Sequence, residues 1–142
     1  MSRLFSIAFA IRDQIETVEG LEGTVIVDRQ NNLAAEFLKR MTKAKGLAVI
    51  IAMDGARNTS PEFRTYRLRG TFTVTIFTKP VLRAKDAKFA DELVESVGQA
   101  LHGWWPVAVP SNGGHRLRVT RAEFPPNDTY NISRLTVSEP DS

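Results

Sequence analysis

The feature that most constrains the fold is a long alternation of apolar and polar residues from Thr65 to Phe77. Apolar residues or Gly70 occupy every second position, and Thr or Arg occupies the positions between them up to Phe77. Because neighbouring side chains of an extended chain point to opposite faces, this pattern predicts a half-buried β-strand. At about 3.3 Å per residue the strand would reach roughly 43 Å, which exceeds an ordinary strand. We therefore expect it to run past its sheet or to bend within it, with Gly70 as the bend.

The length and composition are those of one globular domain. The 142 residues are 42% hydrophobic and 25% charged, and a chain of this size buries about two thirds of the surface that it exposes when unfolded. The segment from Arg3 to Ile11 imitates a signal peptide, but its apolar part is too short. No window approaches the ~18 apolar residues that span a bilayer. We predict a single domain of residues 1–142 that is not a membrane protein.

Hydrophobic periodicity predicts three helices and further strands around the long strand. Asp54-Gly55 is a turn signal, and the polar residues 54–63 are expected to form a mobile loop that joins an antiparallel strand pair. The fold class is therefore α+β, a two-layer sandwich with helices packed on one face of a mainly antiparallel sheet of about five strands. The first predicted helix covers residues 2–19, with Ser2 as its cap, and the third covers 86–102. The second runs from Asn31 or Asn32 to Lys45, and its predicted buried residues are Leu33, Phe37, Leu38 and Met41. Further strands are predicted at 24–28, at 47–53 and in a hairpin around the turn 125–129.

The two arms of this C-terminal hairpin each change phase once. Leu117 and Val119 share a face, but the next apolar pair is one residue out of step, and the second arm does the same between Ile132 and Leu135. A shift of one residue reverses the buried face. Either a pair of β-bulges corrects the phase, or the hairpin leaves the core and offers its other face to a partner. Residues 138–142 are a short acidic tail.

No group of residues predicts catalysis. The chain has no Cys, which removes thiolate nucleophiles and Cys-based metal sites. His102 and His115 lack the spacing of a metal site, and Asp54, Glu62 and Asp128 fall in predicted turns, where acidic residues are common for local reasons. We expect no enzyme activity, no metal and no cofactor, and a small enzyme would have to use Asp54, Glu62 or His115.

Arginine residues form the main surface pattern. The net charge is +3 and the sequence pI is about 9.5, with Arg clustered at the start of the long strand and on the first hairpin arm. If those strands are neighbours, they form a basic, Thr-rich sheet face that either contacts nucleic-acid backbone or an acidic protein surface, or is simply solvated. The Trp104-Trp105 pair either seals the core or places one indole at an interface. The predicted subunit or partner contacts are Arg57, Arg64, Arg67, Arg69, Trp104, Arg116, Arg118 and Arg121.

The order of elements resembles the tail terminator, or tail completion, proteins of long-tailed bacteriophages, which belong among the head-to-tail joining proteins. The similarity is one of pattern and covers roughly residues 2–138. It is carried by LAVIIAMDG (47–55), RLRGTFTVTIFTKP (67–80), ADELVESVGQALHGWWP (90–106) and an Arg-rich hairpin that ends in YNISRLTVS (130–138).

The resemblance implies a non-enzymatic virion protein, assembled in the cytoplasm of a bacterial host, that forms a homo-oligomeric, hexameric ring. Such a ring caps the tail tube and joins the tail to the head, so the implied partners are other copies of the chain, the tail-tube protein and a head-completion or connector protein. DNA would pass through the lumen without specific binding, and neither a membrane nor a cofactor is implied. The Arg clusters are expected at ring contacts, opposite Glu and Asp of a neighbour. The alternative is a small nucleic-acid-binding α+β domain that uses the Arg/Thr-rich sheet face.

Overall fold

A mixed five-stranded sheet with three helices forms the described part of the chain. The computed structural model describes residues 2–29, 33–42, 46–64, 66–79, 90–106 and 116–140. The elements within these ranges are α1 (Arg3–Ile15), β1 (Val25–Val27), α2 (Leu33–Met41), β2 (Leu47–Asn58), β3 (Leu68–Thr78), α3 (Ala90–Leu101), β4 (Arg118–Glu123) and β5 (Asn131–Ser138). The strand order is β1-β2-β3-β5-β4, and every pairing except the parallel one between β1 and β2 is antiparallel. The predicted α+β class and its mainly antiparallel sheet are confirmed.

The central strand of the sheet is β3, as the alternation predicted. It pairs with β2 on one side and with β5 on the other, and Phe72, Val74 and Ile76 are fully buried. Gly70 lies in β3 just before the segment that pairs with β5. A Cβ atom there would lie 3.0 Å from a methyl carbon of Leu4 and 3.1 Å from the Phe72 ring, so a side chain at this position would crowd Leu4 of α1 and Phe72.

Helices α1 and α3 cover the face of the sheet that carries these buried side chains. Ser2 caps α1 as predicted, because its Oγ accepts a hydrogen bond from the Phe5 N–H at 3.3 Å. Ile7 and Ile11 of α1 and Val97 of α3 are fully buried, and they share one hydrophobic core with β1, β2, β3 and β5. None of the described helices is long and apolar enough to cross a membrane.

Helix α2 lies on the opposite face of the sheet, which differs from the predicted packing on one face. The Phe37 ring meets the Phe77 ring at 4.9 Å and the Tyr130 ring at 5.5 Å, and Phe77 points away from the neighbouring Ile76 because side chains of a strand alternate. Leu38, predicted to be buried, is 57% exposed. The continuous apolar run of β2 fits this arrangement, because helices cover that strand on both faces.

The C-terminal hairpin contains one bulge, whereas one of the two predicted alternatives was a pair of bulges. The register between β4 and β5 shifts between Val119 and Arg121, which corrects the phase of β4. In contrast, β5 pairs with β3 without a shift. Ile132 lies opposite Phe77 on the α2 face, while the fully buried Ser133 occupies the core position beside Ile76. The second bulge is wrong because β5 has apolar residues on both faces.

Some predicted features lie outside the described residues. They are the cap at Asn31 or Asn32, the end of the second helix at Lys45, the beginning of the third helix at Asp86, and the candidate residue His115.

Candidate functional site

The candidate site is the part of the β2–β3 pair that extends beyond the sheet. β1 pairs with β2 only as far as Ile51, and β5 pairs with β3 only from Thr71 onward. The β2–β3 ladder nevertheless continues to the pair of Asn58 and Leu68. Residues 54–64 and 66–69 form a projection that we name the arm. Over most of this length neither strand has a second neighbouring strand among the described residues, and the paired part projects roughly 10 Å past the sheet.

A β-bulge lies where the arm begins. The register between β2 and β3 shifts between Met53 and Gly55, at the position where Asp54-Gly55 had predicted a turn. A bulge bends a strand pair and increases its twist, so it redirects the arm relative to the sheet. The predicted loop of residues 54–63 is wrong over its first half, because residues 54–58 belong to β2. The reversal of the chain falls beyond Asn58 instead.

A buried ionic cluster holds the base of the arm. Glu139 directly follows β5 and is fully buried. Its carboxylate accepts hydrogen bonds from the Arg3 guanidinium at 2.8 and 3.0 Å and from the Gly70 N–H at 2.9 Å. Arg69 Nη1 lies 3.5 Å from the same carboxylate, and Arg57 donates to the Glu139 carbonyl oxygen at 2.6 Å. A buried charge is stable only when it is paired and hydrogen-bonded, so this cluster fixes the arm to α1 and β5.

The cluster changes the interpretation of two predicted contact residues and of the acidic tail. Arg69 is only 5% exposed, so it is not part of the outer surface. Arg57 uses its guanidinium within the chain, at the base of the arm. Arg3 also donates to the Leu68 carbonyl oxygen, which ties α1 to the first residue of β3. The role of Glu139 is not predictable from the sequence, because a single Glu within a polar segment carries no local signal of burial.

The tip of the arm, residues 59–64 with 66 and 67, exposes aromatic and basic side chains. Phe63 is fully exposed and Tyr66 is 74% exposed, although large apolar side chains are usually buried. Arg64 and Arg67 are exposed, and neither guanidinium pairs with another described residue. The Asn58 side chain orders the tip, since its Oδ1 accepts the N–H groups of Ser60 and Arg67, both at 3.1 Å. The tip is therefore an ordered, outward-facing cluster of two aromatic rings and two cations, together with the exposed carboxylate of Glu62.

The three predicted contact residues of the hairpin, Arg116, Arg118 and Arg121, lie on β4 or directly before it, away from the arm. β5 lies between β3 and β4, so the two predicted Arg groups do not share neighbouring strands. Arg116 donates to the Gly103 carbonyl oxygen at 2.8 Å and Arg121 pairs with Glu123 at 3.0 Å, whereas Arg118 is exposed on β4.

A basic, Thr-containing sheet face is present, but with other members than predicted. It lies opposite α1 and α3, where Arg118 and Arg121 of β4 adjoin Arg134 and Thr136 of β5 and the Thr residues of β3. Thr73 and Thr75 are each only 8% exposed, so the accessible part of this face lies on β4 and β5.

The adjacent indoles take different positions. Trp104 packs against the core, and its backbone donates to the Leu101 carbonyl and accepts from the Leu117 N–H at 2.8 Å. Trp105 is 42% exposed. Of the two, Trp105 rather than the predicted Trp104 is therefore the indole on the surface.

An open groove runs between α3 and β4. His102 lies on its wall, and the Nδ1 atom of His102 accepts the Val119 N–H at 3.1 Å, which fixes the ring between the helix and the strand. The groove is lined by Val94, Glu95, Gly98, Gln99, His102 and Val119. No sequence motif indicated this groove, because β4 adjoins α3 only in the folded chain.

The acidic residues singled out in the sequence do not converge, because Asp54 lies in β2 at the bulge where the arm begins. Glu62 is in the tip, whereas Asp128 precedes β5 at the other end of the sheet. The length of β3 alone separates these ends by about 33 Å. Within the described ranges, no three His, Asp or Glu residues are placed to hold a metal ion.

No family model matches the chain, and a search of curated proteins finds no match either. The resemblance to tail terminator proteins therefore depends on the pattern of residues and elements in this chain.

Proposed function

We propose that the chain is a structural assembly protein of a bacteriophage tail that forms a homo-oligomeric ring. The observation that carries the proposal is the arm, a two-stranded projection whose base is fixed by buried Glu139. Its tip presents Phe63 and Tyr66 beside two Arg residues that have no partner among the described residues. Aromatic and Arg side chains dominate the energetics of protein interfaces.

The shape of the arm favours assembly into a ring. A projection that contacts a different surface on the next copy makes a heterologous interface, and such interfaces generate rings when the rotation closes. The fixed base lowers the entropic cost of association, because the arm is held in one orientation before it binds. The resemblance to tail terminator proteins adds the tail-tube protein and a head-completion or connector protein as partners of this ring.

The proposal is tested by assembly with a tail tube. A tail-tube gene is expected beside the gene for this chain. Native mass spectrometry and negative-stain electron microscopy of the chain with polymerised tubes of that protein should detect a closed ring, hexameric by the resemblance, on one end of each tube. A chain that stays strictly monomeric in the presence of the tubes would contradict the proposal.

The basic sheet face supports a second candidate function, the binding of nucleic acid. Arg118, Arg121 and Arg134 lie on adjacent strands of this face, although Glu123 neutralises part of the charge. Backbone contacts of this kind release counterions, so affinity would fall steeply with added salt. Fluorescence anisotropy with labelled single- and double-stranded DNA at low salt tests it, and the absence of binding there would remove this candidate.

A further inference from the structure

We infer that the tip of the arm docks in the α3–β4 groove of a second copy of this chain. This inference rests on the proposed ring and identifies the surfaces by which neighbouring copies would contact each other. Three observations carry it: a glycine in the groove that the single chain does not require, opposite charges on tip and groove, and an arm that cannot reach the groove of its own chain.

Gly98 lies in the middle of α3, where a glycine weakens a helix. Its backbone is not in the positive-φ region, unlike that of Gly103 at the helix end. A Cβ atom at Gly98 would meet only Leu135, at an ordinary contact distance of 4.0 Å. Neither backbone conformation nor packing within the chain therefore explains the glycine. Its effect on the surface is a notch in the groove, which gives room for a flat aromatic ring.

The groove is acidic along α3, whereas the tip carries two Arg residues and one carboxylate, that of Glu62. Helix α3 carries three carboxylates and no Lys or Arg over Ala90–Leu101. Glu95 lines the groove, and Asp91 lies one helical turn before it on the same stripe of α3. Neither carboxylate forms an ion pair with another described residue, and the same holds for Arg64 and Arg67 at the tip. Opposite charges at the edge of a contact select the partner and its orientation.

The arm points away from the groove of its own chain. Val119 of the groove lies level with Phe72 of β3, through Val137 of β5, whereas the arm continues in the other direction beyond Leu68. Four residues along β3 and two strands across the sheet separate these points by about 13 Å and 10 Å, before the length of the tip is added. Docking within one chain would therefore require the β2–β3 ladder to break. A second copy meets no such obstacle, and each added copy leaves one arm and one groove free for the next.

Engineered disulfides test the contact directly, because the chain has no Cys of its own. Glu62→Cys places a thiol on the tip and Gln99→Cys places one in the groove. The control thiol, Lys39→Cys, is exposed on α2, on the opposite face of the sheet. A disulfide requires Cα atoms within about 7 Å. In mixtures of single-Cys proteins, the tip–groove pair should oxidise at least ~10-fold faster than the tip–control pair, because docking raises the effective thiol concentration.

Charge-reversal variants test the same contact independently. The tip variant Arg64→Glu/Arg67→Glu and the groove variant Asp91→Arg/Glu95→Arg should each weaken self-association at least ~10-fold. A chain that carries all four substitutions has complementary charges again, so its association should recover. Circular dichroism checks that each variant is folded, and all four positions are exposed.

The outcomes separate this inference from the proposed ring. Copies that associate, yet form tip–tip or tip–control disulfides as fast as tip–groove ones, overturn the docking site and leave the ring proposal standing. Failure of the fourfold charge variant to recover while both halves weaken association also overturns the docking site. A chain that shows no self-association and no disulfide, with or without tail tubes, overturns both proposals.

Discussion

The two parts of β3 have the same alternating sequence but different surroundings. From Thr71 to Thr78 the strand lies between β2 and β5 under α1 and α3, and Phe72 is fully buried. From Leu68 to Gly70 it continues into an arm whose tip exposes Phe63 and Tyr66. An alternating pattern therefore reports that the chain is extended, but not where the sheet around it ends. The part within the sheet stabilises the monomer, and we propose that the part in the arm contacts another copy of the chain.

The largest effect is expected from the sheet part. Phe72→Ala should lower the free energy of unfolding by about 3–5 kcal/mol, because it leaves a cavity between β3 and the helices. Urea denaturation followed by circular dichroism measures this change. A loss below about 1 kcal/mol would contradict the position of Phe72 in the core.

The junction of the two parts should give the next largest effect. Glu139→Gln should cost about 3 kcal/mol, since it leaves the Arg3 and Arg69 guanidinium groups beside a neutral side chain. Hydrogen exchange at the Gly70 amide, which donates to this carboxylate, should become faster. The matched control is Glu22→Gln, an exposed position where stability should not change. Equal stability of the two variants would show that the cluster does not hold the arm.

A smaller effect of opposite sign is expected in the groove. Gly98→Ala should raise the free energy of unfolding by about 0.5–1 kcal/mol through helix propensity, while the added methyl group fills the notch and weakens self-association. Denaturation of the monomer and sedimentation of the assembly measure the two effects separately. If Gly98→Ala strengthened self-association as well as raising the stability of the monomer, an aromatic side chain docked at Gly98 would be contradicted.

The smallest effect on stability is expected at the tip. Phe63→Ala should leave the free energy of unfolding within about 0.5 kcal/mol of the original value, because the side chain is fully exposed. The comparison with Phe72→Ala uses the same substitution on both parts of one hairpin. A loss as large as that of Phe72 would mean that Phe63 packs in the monomer.

The sequence predicted those elements whose signal is local and periodic. The alternation located β3, the apolar spacing that includes Ala8, Ile11 and Ile15 located α1, and the predicted helix end at residue 102 lies one residue beyond the end of α3. The phase change in β4 coincides with its bulge, which was part of one of the two predicted alternatives. These features depend on the side chains of neighbouring residues, which a single sequence contains.

The remaining features depend on which distant segments meet. Asp54-Gly55 is a local turn signal, but β2 continues through these residues because it remains paired with β3. α2 lies on the face of the sheet opposite α1 and α3, because Phe37 packs against Phe77 and Tyr130 there. The groove requires α3 and β4 to be adjacent, which no local pattern indicates. The arm agrees with one of the two expectations for the long strand, that it runs past its sheet, which followed from a predicted length greater than that of an ordinary strand.

The most direct test of the proposed association compares two exposed aromatic sites in the assembled protein. Sedimentation velocity should detect the same ring for the original chain and for Phe124→Ala, whose ring is 60% exposed but lies on the hairpin and not on the arm. Phe63→Ala/Tyr66→Ala should sediment as a folded monomer over the same concentrations. An arm variant that assembles to the same size at the same concentration as the original chain would contradict the proposed role of the arm.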